Sequence, residues 1–113
     1  MWGVKMGRVE TFDYSLIMSA SDVARYLLDT CPALSFFESF MFGSSLFGVG
    51  SDYDILIVGP SGKLLLQLKA ELKFAGAELP LDILFMLPME AKETCFVANQ
   101  KCVSLQKLAC YGS

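Results

Sequence analysis

The stretch FMFGSSLFGVGSDYDILIVG, residues 40–59, places a glycine-serine turn before two aspartates that open a strongly apolar run. Asp52 and Asp54 are two residues apart, so on a strand their side chains point to the same face. The run that follows them is almost continuously apolar, which is typical of a strand covered on both faces. A buried strand that begins with two negative charges needs a partner for them, because burying an unpaired carboxylate is costly.

A third carboxylate, Asp82, lies in the apolar stretch LPLDILFML, residues 79–87. If its strand lies beside the strand that Asp52 and Asp54 open, the three carboxylates converge on one point. Mg²⁺ is the natural partner, since it is a hard cation that prefers oxygen ligands. Three carboxylates around Mg²⁺ beside a glycine turn form a site for phosphoryl or nucleotidyl transfer. The structural alternative makes Asp52 a turn residue, places Asp54 at a strand margin and bonds Asp82 to backbone amides.

The turn upstream of the aspartates supplies candidate phosphate-binding residues: Gly43, Ser44, Ser45 and Ser51. Glycine lets the backbone approach a phosphate closely, and successive amides with a serine hydroxyl hold phosphate oxygens. The alternative is a plain loop between two strands. The nearby GPSGK is not a P-loop, because Ile57 stands where the first glycine is required and Leu64 follows Lys63.

Composition limits the other classes of protein. The chain has 113 residues, 54% of them hydrophobic, which favours one globular domain with a partner or dimer surface. No apolar run approaches the roughly 18 residues of a membrane span, and we expect no signal peptide and no membrane partner. A net charge of -3 with two arginines argues against binding extended nucleic acid, and the absence of histidine excludes imidazole chemistry. Four cysteines without a C-x-x-C pair indicate thiols in a reducing cytoplasm.

Periodicity and end signals predict the order helix, strand, strand, helix, strand, helix, strand. The predicted class is a small α/β domain, residues 19–113, with a mixed sheet of about four strands and helices packed on it, behind an N-terminal arm of residues 1–18. The sheet is mixed because the link between the first two strands is too short for a crossover helix. The predicted helices cover residues 21–30, 60–77 and 88–99, and the predicted strands cover residues 34–42, 52–59, 79–87 and 101–108. Ser21 is the predicted cap of the first helix, Gly76 ends the second, and Pro88 starts the third. The second helix is predicted to be buried along one stripe, formed by Leu64, Leu65, Leu68, Leu72 and Ala75.

Phe42-Gly43-Ser44, then Asp52-Tyr53-Asp54 and, one helix later, Asp82 together resemble the nucleotidyltransferase superfamily of DNA polymerase beta. Within it, the chain is similar to the minimal nucleotidyltransferases (MNT), including the antitoxin halves of bacterial HEPN/MNT modules. The resemblance covers residues 34–107. It implies that Gly43 and Ser44 bind nucleotide phosphates, that Asp52 and Asp54 bind two Mg²⁺ ions, and that Asp82 completes the catalytic metal site and helps activate the attacking hydroxyl.

The implied function is transfer of a nucleoside monophosphate, AMP from ATP, to a hydroxyl of a partner protein, with a HEPN-like partner or a second copy of the chain completing the site. Many minimal members carry an arginine in the loop after Gly-Ser, where this chain has Phe47, and Lys63, Lys69 and Lys73 are the candidates to replace its charge. The alternative is a protein of the same fold without catalysis that neutralises a partner by covering its surface. Adenylation of a small molecule is a third possibility.

Overall fold

Residues 18–111, the part of the chain that the computed structural model describes, form a four-stranded sheet and five α-helices. This confirms the predicted small α/β class. The predicted arm lies outside the described residues except for Met18. The elements in chain order are α1 (Ala20–Thr30), β1 (Glu38–Phe42), β2 (Tyr53–Val58), α2 (Lys63–Glu78), β3 (Leu81–Met86), α3 (Pro88–Thr94), α4 (Phe96–Asn99), β4 (Val103–Ser104) and α5 (Leu105–Tyr111), with short 3-10 turns over Pro32–Phe36 and Gly43–Phe47.

The sheet is mixed, as predicted, with the strand order β3-β2-β1-β4. β1 pairs antiparallel with both β2 and β4, while β2 pairs parallel with β3. The parallel pair is joined through α2, because parallel neighbours need a crossover connection. β2 therefore lies in the interior of the sheet with a strand on each side.

Alternate residues of β2 face two different environments. Tyr53, Ile55 and Ile57 belong to the main hydrophobic core, which also contains residues of α1 and α2. Leu56 and Val58 point to the opposite face and are also buried. The prediction that β2 is covered on both faces is therefore confirmed. Within residues 18–111, no helix combines the length and the apolar character that a membrane crossing requires.

The N-cap of helix α1 lies two residues earlier than predicted. Ser19 is the N-cap, since its backbone is extended and its hydroxyl accepts a 3.1 Å hydrogen bond from the backbone N–H of Asp22. The prediction that Ser21 caps the helix is wrong, because Ser21 already lies in the first turn. The predicted end before Pro32 is confirmed at Thr30.

Helix α2 continues past Gly76, so the prediction that Gly76 ends it is wrong. The helix ends at Glu78, and the backbone N–H of Leu79 donates to the carbonyl of Ala75. The predicted stripe is buried at Leu68, Leu72 and Ala75 and half-buried at Leu65. Leu64, predicted to be buried, is 43% exposed because it lies in the first turn, beyond the edge of the core.

Three other predicted boundaries are wrong. Residues 34–36 belong to a 3-10 turn, so the first strand begins only at Glu38. The helix predicted over 88–99 starts at Pro88 as expected but breaks at Cys95, whose φ of 52° is left-handed. The strand predicted over 101–108 is limited to Val103–Ser104, and α5 follows it directly. Leu105 and Leu108, three residues apart, are both buried, which is the spacing of a helix face.

Tyr53 links the start of β2 to the first described residue. Its fully buried side chain donates a 2.7 Å hydrogen bond to the carbonyl of Met18 and accepts a 2.9 Å bond from the backbone N–H of the same residue. We expect Tyr53→Phe to lower the free energy of unfolding by about 1–2 kcal/mol, because both backbone groups lose their partner. Urea denaturation measures this loss.

Tyr26→Phe is the matched control, since the half-buried Tyr26 hydroxyl has no hydrogen bond within residues 18–111. Its free energy of unfolding is expected to change by less than about 0.5 kcal/mol. Equal losses in the two variants would contradict the stabilising role of the Tyr53 hydroxyl.

Candidate functional site

Asp54 and Asp82 lie opposite each other at the N-terminal ends of the parallel strands β2 and β3. Register partners of neighbouring strands carry their side chains on the same face, and the strands are about 4.8 Å apart. Asp52 precedes β2 by one residue. The structure therefore confirms that the two aspartate-bearing strands are neighbours, the condition on which the predicted convergence depends.

The carboxylates lie on the face of the sheet opposite the main core. Tyr53, between the two aspartates in sequence, points into the core, so alternation turns Asp54 to the other face. Asp54 is half-buried, whereas Asp52 and Asp82 are exposed. The three carboxylates are thus open to a ligand at the edge of the fold.

The negative charges of Asp82 and Asp52 act on the Asp54 carboxyl. Its pKa is raised above the ordinary value, first by burial and then by the negative charges of Asp82 and Asp52. Both effects disfavour the ionised form. A cation placed between these groups would oppose this repulsion.

Gly43 lies directly against the Asp54 carboxylate. A Cβ added to Gly43 would stand 2.8 Å from Asp54 Oδ2, and the Gly43 φ of +74° is a left-handed conformation that favours glycine. The absence of a side chain therefore brings the backbone of the glycine-serine turn into contact with a carboxylate of β2. Predicted as a phosphate-binding residue, Gly43 lies beside the predicted metal ligands.

Ser45 joins the end of β1 to the start of β2. Its buried hydroxyl donates a 2.9 Å hydrogen bond to the carbonyl of Phe42 and accepts a 3.1 Å bond from the backbone N–H of Asp54. These two bonds fix the turn against the strand that carries Asp54. The geometry gives Ser45 a positioning role, while its predicted contact with phosphate stays a prediction.

The other two predicted phosphate-binding serines, Ser44 and Ser51, are exposed on the turn. The Ser44 hydroxyl lies close to Gly50, where an added Cβ would stand 2.9 Å from Oγ. Gly50 has a φ of +106°, so the backbone conformation favours glycine there, whereas the exposed Ser44 hydroxyl could rotate away from an added Cβ. Gly50 is not among the residues predicted from the sequence. The Gly-Val-Gly that precedes the aspartates is the sequence feature that could have indicated it.

The aspartate carboxylates fit an Mg²⁺ ion whose remaining ligands are water and the phosphates of a substrate. Within residues 18–111, no group of three or more His, Cys, Asp or Glu side chains is arranged to hold a metal ion. Mg²⁺ is usually bound by one or two carboxylates, water and substrate phosphates rather than by a complete protein cage. The adjacent Asp54 and Asp82, both oxygen donors with mutual repulsion to relieve, suit this mode.

No protein-family model, no curated protein and no solved structure matches this chain at a significant level. The resemblance to the DNA polymerase beta superfamily therefore rests on the motif residues of the sequence alone.

Comparison of Gly43→Ala with Gly48→Ala separates the cost of the left-handed backbone conformation from the cost of the close contact between Gly43 and Asp54. Both glycines have a φ of +74°, but nothing lies within 4 Å of a Cβ added at Gly48. Alanine at Gly48 is expected to cost about 1–2 kcal/mol of unfolding free energy from backbone conformation alone. Alanine at Gly43 is expected to cost about 1–3 kcal/mol more, because its methyl group overlaps the Asp54 carboxylate. Urea denaturation of both variants checks the difference, and equal losses would contradict the close contact.

Asp54→Asn is expected to stabilise the metal-free protein at pH 7. Since the folded-state pKa of Asp54 is raised, stability is lost as pH rises from the ordinary pKa through the raised one, and the ionised group destabilises the fold above both. We expect the melting temperature in EDTA to rise, because asparagine carries no charge at this position. The gain should shrink as the pH is lowered through the raised pKa, where Asp54 is already protonated.

Glu38→Gln is the control for this experiment, because it also removes one negative charge but from an exposed side chain at the start of β1. It should leave the melting temperature within about 1 °C of wild type. A stabilisation of the same size in both variants would indicate relief of net charge and would contradict local repulsion at Asp54.

Proposed function

We propose that this protein is a minimal nucleotidyltransferase of the DNA polymerase beta type. In this proposal it transfers a nucleoside monophosphate, AMP from ATP, to a hydroxyl of a partner protein in the cytoplasm, as an antitoxin of a HEPN/MNT module does. The observation that carries the proposal is the parallel pair Asp54–Asp82 with the backbone of Gly43 against the Asp54 carboxylate. A glycine turn and paired carboxylates in contact combine a phosphate-binding element with a cation-binding element.

Each residue has a defined role in the proposed reaction. The amides of Gly43 and Ser44 hold phosphate oxygens, and Ser45 holds the turn on β2 through its bonds to Phe42 and Asp54. Asp52 and Asp54 lie on the nucleotide side of the site, and bound Mg²⁺ would stabilise the charge that develops on the entering and leaving oxygens. The exposed Asp82 accepts the proton of the acceptor hydroxyl.

The proposed reaction forms one bond to the α-phosphorus and breaks another. The acceptor oxygen forms a bond to the α-phosphorus, while the bond from that phosphorus to the bridging oxygen of the β-phosphate breaks. The leaving group is pyrophosphate, which carries the electrons of the broken bond. Burial and then the negative charges of Asp82 and Asp52 raise the pKa of Asp54, and a cation that binds with the nucleotide would offset the repulsion among these carboxylates.

A protein acceptor is favoured by charge. The net charge of -3 and the two arginines of the chain suit a long nucleic acid poorly, because phosphate backbones are bound through clustered cations. Exposed apolar side chains, among them Leu66 and Phe74 on α2, offer surface for a protein partner.

Isothermal titration of ATP into the protein, with Mg²⁺ and with EDTA, tests the proposal. Wild type is expected to bind in a metal-dependent manner, and Asp52→Asn/Asp54→Asn should weaken binding by about 10- to 100-fold, because charge-assisted contacts contribute about 1.5–3 kcal/mol. Asp29→Asn/Glu38→Gln removes the same charge from exposed positions and should bind like wild type. No binding at millimolar ATP, or equal binding by the two double variants, would contradict the proposal.

The second candidate function is a catalytically inactive binding module. One observation favours it: α2 presents the exposed Leu66 and Phe74 on one face, which offers an apolar surface for a protein partner. The two functions are separated with the purified partner: neutralisation of its activity that survives Asp54→Asn supports the binding module, whereas neutralisation that requires ATP and Asp54 supports the enzyme.

A further inference from the structure

A cleft of about 640 Å³ begins at Gly43. Its walls come from the start of α1, from the turn that follows Gly43, from β4 and from α5, and they include the apolar side chains of Leu46, Val103 and Leu108. Small-molecule sites typically have volumes of about 300–1,000 Å³ and mostly apolar walls with a few polar groups. The cleft therefore has the size and character of a ligand site, although none of the three aspartates lines it.

The polar groups of this cleft are basic. Lys101 and Lys107 line it, and no aspartate or glutamate is among the described residues that do so. Within residues 18–111, neither ammonium group has an ion-pair or hydrogen-bond partner. In a chain with a net charge of -3, two unpaired cations in one cleft indicate an anionic ligand.

The other basic side chains considered for this role are placed elsewhere. Lys63, Lys69 and Lys73 lie on α2 and do not line the cleft, and the Lys69 ammonium stands 5.0 Å from the centre of the Phe85 ring. Arg25 is engaged with the Asp22 carboxylate and the carbonyl of Ala109. Among the basic side chains of residues 18–111, Lys101 and Lys107 are the ones that line the cleft.

Gly43 is the shared element between this cleft and the aspartates. It lines the cleft, and its Cα lies against the Asp54 carboxylate. An anion that extends from the carboxylate site past Gly43 enters the cleft next to the two lysines. A linear polyphosphate has this shape and charge.

We propose that Lys101 and Lys107 bind the β- and γ-phosphates of the nucleoside triphosphate whose α-phosphate lies at Asp54 and Asp82. This inference rests on the proposed function and assigns the cation site that the glycine-serine turn lacks. Lysine binds phosphate as a point charge, so the contribution should depend on the number of phosphates and on salt.

Titration of three ligands in the presence of Mg²⁺ tests the assignment: ATP, AMP and inorganic tripolyphosphate. Lys101→Gln/Lys107→Gln is expected to weaken ATP and tripolyphosphate by about 10- to 100-fold and to leave AMP within about twofold of wild type. The control Lys63→Gln/Lys73→Gln makes the same change of charge on the exposed side of α2 and should leave all three affinities within about twofold of wild type. Lys107→Glu alone, at an exposed position of α5, tests the same site if the double variant does not fold.

The outcomes separate this inference from the proposed function. Metal-dependent ATP binding that needs Asp54 but is equal in the two lysine double variants would overturn the assignment and leave the proposed function in place. Equal weakening of AMP and ATP would also overturn it, because the lysines would then act on another part of the nucleotide. Lysine-dependent binding of tripolyphosphate that needs neither Mg²⁺ nor Asp54 would keep the polyphosphate site and overturn the proposed nucleotidyl transfer.

Discussion

The parallel pairing of β2 with β3 is the constraint on which the candidate site depends. Its register sets Asp54 opposite Asp82, and a shift of one residue would turn one of these side chains to the core face. The register is held because Ile55 and Ile57 of β2, with Ile83 of β3, pack in the core on the other face. Burial of apolar side chains on one face therefore brings negative charges together on the other, although their repulsion raises the pKa of Asp54.

The glycine-serine turn contacts the start of β2 through two of its residues, Gly43 and Ser45. Gly43 lies against the Asp54 carboxylate, and the Ser45 hydroxyl bridges the carbonyl of Phe42 and the N–H of Asp54. The second contact explains why two serines follow the glycine, since Ser44 is exposed to solvent and Ser45 is buried in the turn. Together they hold the backbone of the turn and a carboxylate of β2 at a fixed separation, and the proposed nucleotidyl transfer depends on this arrangement.

The cleft is lined by positively charged side chains and lies beside the negatively charged end of the sheet. The aspartates suit a cation, while Lys101 and Lys107 suit an anion, and Gly43 lies between the two environments. A nucleoside triphosphate with Mg²⁺ carries both kinds of charge. In the proposed complex, Lys101 and Lys107 supply to the triphosphate the positive charge that the turn after Gly43 lacks.

The amino-acid sequence by itself determined the α/β class, the mixed sheet and the buried β2 strand, because period-two alternation and an uninterrupted apolar run are local signals. It did not determine the N-cap of α1, the end of α2, the break at Cys95 or the helix at Leu105, because several residues there are comparable as caps or helix formers and packing selects among them. Only the tertiary structure decided that Ser45 positions the turn and that Lys101 and Lys107 share a cleft with Gly43. Strand pairing and helix packing bring Lys101 and Lys107 to Gly43 across more than 50 positions of sequence, and no local pattern encodes such a contact.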